Sequence, residues 1–141
     1  MSKIAVVYWS GTGNTEAMAN FVLEGAKATG TQADLLTAGE FSADKMDEYD
    51  AVAFGCPSMG AEQLEEAEFE PMFSSVKSKI KDKKIALFGS YGWGDGEWMR
   101  NWEAACSDEG ANFVCDYVIC NEAPDEDGQM ACKALGESLT K

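Results

Sequence analysis

A chain of 141 residues, 45% of them apolar and with a formal charge of −14, suits one domain, residues 1–141, able to bury a core of its own. The charge excludes nucleic acid and anionic membranes as partners and favours basic protein surfaces; no apolar run approaches the roughly 20 residues a bilayer span needs. There is no histidine, so the commonest general base and metal ligand is missing. Five cysteines without a C-x-x-C pair argue against a disulfide framework or zinc ribbon and read as buried free thiols.

Met1-Ser2-Lys3 leads directly into the apolar run Ile4–Trp9. That is not a signal-peptide pattern, and a cytoplasmic protein is expected. Ile4–Trp9 reads as a first strand, with Trp9 a structural residue at its end. Thr15–Thr29 follows as a helix whose stripe is Met18, Phe21, Val22, Gly25 and Ala26. Gln32–Leu36 is a second strand and Ser42–Met46 a short helix. Ala51–Cys56 is continuously apolar, as a strand buried on both faces must be. Ala67–Ile80 reads as a helix with Phe69, Met72, Phe73, Val76 and Ile80 on one side and Pro71 in its first turns. Lys84–Gly89 is a fourth strand, and Trp98–Ser107 a helix with Trp98 and Trp102 on one face. Asn112–Cys120 is a fifth, uninterrupted strand. Glu126–Leu139 closes the chain as a helix with Met130, Leu135 and Leu139 turned inward. Strands alternating with helices predict an α/β fold: a doubly wound five-stranded parallel sheet of order 2-1-3-4-5, with helices on both faces. Ligands of such sheets sit outside the carboxyl ends of the strands.

Three loops leave those ends carrying unusual residues. Ser10-Gly11-Thr12-Gly13-Asn14-Thr15 follows a strand and opens a helix. Its glycines let the backbone present N–H groups, its hydroxyls and amide add donors, and the helix N-terminus adds partial positive charge. It reads as a phosphate cradle without Lys or Arg, distinct from a Walker loop and from the dinucleotide fingerprint; the plain alternative is a turn capped by Thr12 or Asn14. Pro57-Ser58-Met59-Gly60-Ala61-Glu62 places a polarisable methionine beside a glycine, with a carboxylate able to accept from a ring N–H. The alternative there is a turn before a solvated acidic helix. Ser90-Tyr91-Gly92-Trp93-Gly94 sets a tryptophan between glycines, suited to stacking on a flat ligand, or else folded back as a core plug. A phosphate cradle, two ring walls and an N–H acceptor together describe a flat phosphorylated heterocycle, and FMN fits best.

These residues resemble a known family. Tyr8-Trp9-Ser10-Gly11-Thr12-Gly13-Asn14-Thr15-Glu16 is similar to the phosphate loop of short-chain flavodoxins. Met59-Gly60, Glu62, Leu64-Glu65-Glu66 and Phe69-Glu70-Pro71 resemble the clostridial-type branch, as do Leu87–Gly94, Trp98-Met99 and Asn121–Asp125. The resemblance implies the 2-1-3-4-5 order with FMN at its switch point, which is how that family is built. It implies a low-potential one-electron carrier cycling between semiquinone and hydroquinone, with no catalytic residues and no metal. Ser10 to Thr15 would hold the phosphate, and Met59 and Trp93 would cover the two ring faces. Glu62 would meet ring N3, and Gly60 would turn its carbonyl toward N5. Ser90, Tyr91 and Gly92 would line the pyrimidine side. Ala61 departs from the polar residue common after Met-Gly.

The competing reading is a small FMN-dependent reductase of quinone or nitro type. A receiver domain is excluded because Gly55-Cys56-Pro57-Ser58 stands where its aspartate would be, and a serine hydrolase because neither Ser58 nor Ser90 lies in G-x-S-x-G. Residues 57–70, 91–97 and 121–128 hold eleven acids and no Lys or Arg, whereas 77–84 holds five lysines and one acid. The acids flank the predicted flavin edge and the lysines belong at the other end of the sheet. Redox partner proteins with basic docking surfaces, and a monomeric carrier, are the expected arrangement.

Overall fold

The computed structural model describes residues 3–59 and 63–141. β1 (Lys3–Tyr8), β2 (Gln32–Thr37), β3 (Ala51–Gly55) and β4 (Lys84–Tyr91) lie in the order β2-β1-β3-β4, with β5 (Asn112–Phe113) and β6 (Val118–Asn121) both beside β4. All pairings are parallel; Val6 stands between Leu35 of β2 and Ala53 of β3. This is the predicted doubly wound order.

Strand alternation sends successive side chains to opposite faces. Val7, Val52, Phe54, Ile85 and Leu87 turn to one core, and Ile4, Val6, Ala53, Ala86 and Phe88 to the other. α3 (Phe69–Val76) and α4 (Glu97–Asp108) cover the first, where Trp102 meets Phe69 and Phe73 edge-on at centroid distances of 5.4 and 5.6 Å. α1 (Asn14–Ala28) and α5 (Glu126–Ser138) cover the second. These two helices touch through backbone: a Cβ on Gly136 would lie 2.0 Å from the Val22 carbonyl oxygen, and one on Gly25 2.0 Å from that of Lys133. α2 (Ala43–Met46) is the short helix expected there.

The structure corrects three readings. The fifth strand is interrupted: Ile85 pairs with Phe113 and Phe88 with Val118, so two residues of β4 face four of the outer chain. The surplus is even, and therefore the inward–outward alternation resumes in phase beyond it. The third helix starts at Phe69, not Ala67, and its α turns end at Val76, with a 3₁₀ turn over Lys77–Lys79. Met130 is 67% exposed, because the inner face of α5 is Cys132, Leu135 and Gly136.

The lysine run lies where β4 begins, at the amino edge. The Lys83 ammonium donates to the carbonyls of Met46 (2.9 Å) and Tyr49 (2.7 Å), and Lys79 pairs with Asp47 at 3.0 Å. Among the described residues no helix is long and apolar enough to cross a membrane.

Candidate functional site

At the carboxyl edge, Ser10 shapes the first loop. Its Oγ accepts the N–H groups of Gly13 (3.1 Å) and Glu16 (3.2 Å). This takes the capping role that Thr12 and Asn14 were each able to fill. Gly13 is the residue before the helix, at φ 95°, a conformation that costs a residue with a Cβ. With the turn closed in this way, no hydrogen bond of the described residues uses the N–H groups of Gly11, Thr12, Asn14 or Thr15. Four backbone donors thus converge at a helix N-terminus, an arrangement suited to an anion.

The other loops are knitted to the first through Ser90. Its Oγ lies 2.7 Å from Thr15 Oγ1, and its carbonyl accepts the Ser58 N–H at 3.0 Å. Both hydroxyl-bearing side chains are buried, so this contact fixes α1 against β4. In the second loop Met59 and Gln63 exchange N–H···O bonds of 2.8 and 3.0 Å. The chain after it is anchored by Glu65, whose buried carboxylate accepts the N–H groups of Ala67 (2.8 Å), Glu68 (2.7 Å) and Phe69 (2.8 Å). Burial alone would raise the Glu65 pKa, but these three donors hold it below the ordinary carboxylate value. Trp9 Nε1 donates to Glu68 at 3.1 Å and ties the first loop to the same segment. Burial pushes the neighbouring Cys56 thiol up to about 12, so Cys56 stays protonated.

A cavity of about 260 Å³ opens between these loops. Its walls include Ser10, Gly11, Thr12, Asn14 and Thr15 from the first loop, Pro57, Ser58 and Met59 from the second, and Ser90, Tyr91 and Gly92 from the third. Gly13 faces an adjoining hollow of about 380 Å³ instead; that hollow also holds Glu16 and Glu68 and so repels a phosphate. Trp93 is 64% exposed on the turn beyond Gly92, outside the cavity wall, which removes the core-plug alternative; Gly94 beside it is exposed at φ 88°. Gly60, Ala61 and Glu62 lie outside the described residues.

Two wall residues escaped the sequence reading. Trp9, taken there as structural, lines the cavity, and its ring would lie 3.0 Å from a Cβ on Gly11. Glu122 lines it from the end of β6, at φ 61°, with its N–H donating to the Tyr91 carbonyl at 2.8 Å. The signal for Glu122 was available, since the loop after the fifth strand leaves the same carboxyl edge as the other three.

The sequence and the fold have close counterparts. The family model described as flavodoxin matches residues 6–136. The chain belongs to the flavodoxin family. It is 45% identical to a flavodoxin of Megasphaera elsdenii, over 98% of each chain, and 41% identical to one of Clostridium beijerinckii, over 95% of this chain and 96% of that one. The solution structure of the two-electron-reduced M. elsdenii flavodoxin superposes with a TM-score of 0.90 at 44% identity, covering 97% of this chain and 98% of that one. The clostridial-type resemblance read from the loops therefore holds, and the reductase alternative is not favoured. Flavodoxins are FMN-binding electron carriers that pass electrons to redox partner proteins, and this flavodoxin is one.

The cleft fits that cofactor chemically. Four free N–H groups, the hydroxyls of Thr12 and Ser10 and the Asn14 amide form a neutral donor set for a phosphate dianion. Met59 and Tyr91 offer the polarisable and aromatic surface a flat ring needs, with Tyr91 backed by Trp98 at a centroid distance of 5.7 Å. Trp98 is in turn held by its indole N–H on the Cys56 carbonyl at 3.2 Å.

Proposed function

We propose that residues 1–141 act as one domain that carries electrons singly, at low potential, in the cytoplasm, and that the protein has no catalytic activity of its own. Bound FMN supplies the electron-accepting chemistry. Gly11, Thr12, Asn14 and Thr15 would hold its phosphate, with Ser10 and Gly13 setting the turn. Pro57, Ser58, Met59, Ser90, Tyr91 and Gly92 would line the ring, Trp93 and Gly94 would cover its outer face, and Gly60, Ala61 and Glu62 would complete the second loop. The observation that carries this reading is the set of four N–H groups at the α1 N-terminus left unpartnered among the described residues, inside a cavity whose described walls hold one acid, Glu122, and no base.

Trp93 is the residue most open to test, because its exposed side chain is free of the core. Ring stacking adds about 0.5–1.5 kcal/mol beyond area burial, roughly a two- to twelvefold change in Kd. Trp93→Ala is expected to weaken FMN binding by that factor and to restore flavin fluorescence. Unchanged affinity and quenching would remove Trp93 from the site.

The partner we infer is a protein with a basic docking surface, met by a monomer of this chain. Acids at Glu68, Asp95, Glu97, Glu122 and Asp125 follow the carboxyl ends of β3, β4 and β6, while the lysines occupy the amino edge. Such a dipole turns the flavin edge toward positive charge. Screening acts over about 8–10 Å at moderate ionic strength, so the second-order rate of electron transfer to a basic partner is expected to fall as salt rises. A salt-independent rate would rule out steering. The non-enzymatic reading is checked by mixing the purified protein with NAD(P)H and a quinone: no sustained turnover is expected, and turnover by this chain alone would restore the reductase reading.

A further inference from the structure

Cys120 and Cys132 meet across the boundary between the sheet and α5. Cys120 is the third residue of β6, paired in register with Ser90. A Cβ built on Gly128 would lie 2.7 Å from the Cys120 sulfur, so that sulfur reaches the first turns of α5. Cys132 stands four residues beyond Gly128, on the same face of the helix. The two thiols are neighbours, each the strongest influence on the other's proton affinity, and both side chains belong to the core beneath α1 and α5. Cys120 also lines a surface hollow of about 370 Å³ together with Gly128 and Ala131, which gives a small solute a route to it, whereas Cys132 is fully buried.

The other three thiols have no such partner. Cys56 and Cys106 are buried in the core on the opposite face of the sheet, and burial pushes both thiols up to about 12. Cys115 is half-buried, and burial raises its thiol as well.

We propose that Cys120 and Cys132 are a dithiol modification site, oxidised by a hydroperoxide to a disulfide that joins β6 to α5. The Cys120 thiolate attacks one peroxide oxygen; the O–O bond breaks, an S–O bond forms, and the departing oxygen leaves as water. The Cys132 sulfur then attacks the Cys120 sulfur. The S–O bond breaks, the S–S bond forms, and the released hydroxyl leaves with the Cys132 proton as a second water. Two thiols and one hydrogen peroxide become one disulfide and two waters, with two electrons passing from sulfur to oxygen. The division of roles follows from access: Cys120 lines the hollow and Cys132 is fully buried, and the contact between them lowers the Cys120 thiol while it and burial raise Cys132. Cys120 is therefore the nucleophile and Cys132 the resolving thiol. The bond would form next to the cleft wall, since Asn121 Nδ2 and the Glu122 N–H both donate to the Tyr91 carbonyl, at 3.3 and 2.8 Å.

The test treats the FMN-loaded protein with hydrogen peroxide, alkylates it in denaturant with iodoacetamide and maps the peptides by mass. The expected product is a Cys120–Cys132 linked peptide lacking two hydrogens and restored by dithiothreitol, with Cys56, Cys106 and Cys115 still alkylated. Cys132→Ala is expected to lose the link and carry Cys120 on to a sulfinic acid; Cys120→Ala is expected to leave Cys132 alkylatable. Should either variant fail to fold, the map of the unaltered protein decides. Oxidation of Cys115 or Cys56 ahead of the pair, or a wild-type map without the linked peptide, would overturn the proposal.

Discussion

Removing the phosphate from the cofactor is expected to cost this protein roughly 10²–10⁴-fold in affinity, so that riboflavin binds far more weakly than FMN. The donors that meet a phosphate here are the N–H groups of Gly11, Thr12, Asn14 and Thr15, left without partners because Ser10 closes the turn from inside. A hydrogen bond to a charged group contributes about 1.5–3 kcal/mol net. Two such bonds lost, about 3–6 kcal/mol, already give that range at 1.4 kcal/mol per tenfold. Variants separate the phosphate from the ring. Thr12 is exposed and its hydroxyl has no partner among the described residues, so Thr12→Ala leaves the unliganded fold within about 0.5 kcal/mol. It is expected to weaken FMN by about tenfold and riboflavin not at all. Ser10→Ala is expected to behave differently: it frees the Gly13 and Glu16 N–H groups inside the loop, lowering stability and FMN affinity together. Titration of each variant with both ligands, followed by flavin fluorescence, distinguishes these outcomes. Equal Kd values for FMN and riboflavin in the parent would sink the phosphate assignment.

The strand order and most of the site were legible because they rest on runs and loops that carry their own signal. Ala51–Gly55 is apolar at every position and buried at every position; only a central parallel strand satisfies that. The loop Ser10–Thr15 was legible as a cleft wall because Gly, Ser, Thr and Asn between a strand and a helix leave backbone N–H groups at the carboxyl edge of the sheet. The interruption after Phe113 was not, because Val114 to Cys120 keeps a strand-like composition and the two surplus residues exist only relative to the register of β4. Asp116, a residue depleted in strands, was the one local hint. Met130 was misplaced because an apolar side chain was read as an inward one. The phase of that helix is set instead by a glycine: at Gly136 a Cβ would meet the Val22 carbonyl oxygen at 2.0 Å, so the closest contact with α1 is made where no side chain exists. Trp9 does pack against the core as expected, and its second role in the cleft wall was not legible, since a strand-end aromatic looks alike whether one face of it or both are covered.

Loss of the Glu65 carboxylate is expected to destabilise the fold by about 2–4 kcal/mol and to loosen the second loop. Phe69 opens α3, and the N–H groups at a helix start have no partner within the helix. Glu65 supplies one, accepting from Ala67 through Oε2 and from Glu68 and Phe69 through Oε1, with its charge favourably placed at the positive end of the helix. Each bond to a charged acceptor contributes about 1.5–3 kcal/mol, but the sum is not reached in Glu65→Ala, because the N–H groups of the exposed Ala67 and Glu68 regain water and only that of the buried Phe69 is stranded. Glu65→Gln keeps one oxygen for Glu68 and Phe69 and turns an amide N–H₂ toward the Ala67 N–H, a donor against a donor, so about half of the loss is expected. The pH dependence follows from the lowered pKa. Glu65 holds less proton folded than unfolded at the same pH. Its contribution is therefore complete above the unfolded carboxylate value of 4.5 and is lost as pH falls through the lower folded value. The effect extends to the cofactor site, because the Glu65 N–H also meets the Cys56 sulfur at 3.4 Å, and the segment between them holds Pro57, Ser58 and Met59, which wall the cleft. Denaturant titrations of the parent and of Glu65→Gln at a series of pH values below 5 make the comparison: the stability difference between them is expected to shrink with acidification and FMN affinity to be weaker in the variant. If the two proteins lost stability in parallel across that range, Glu65 would not be the group that titrates.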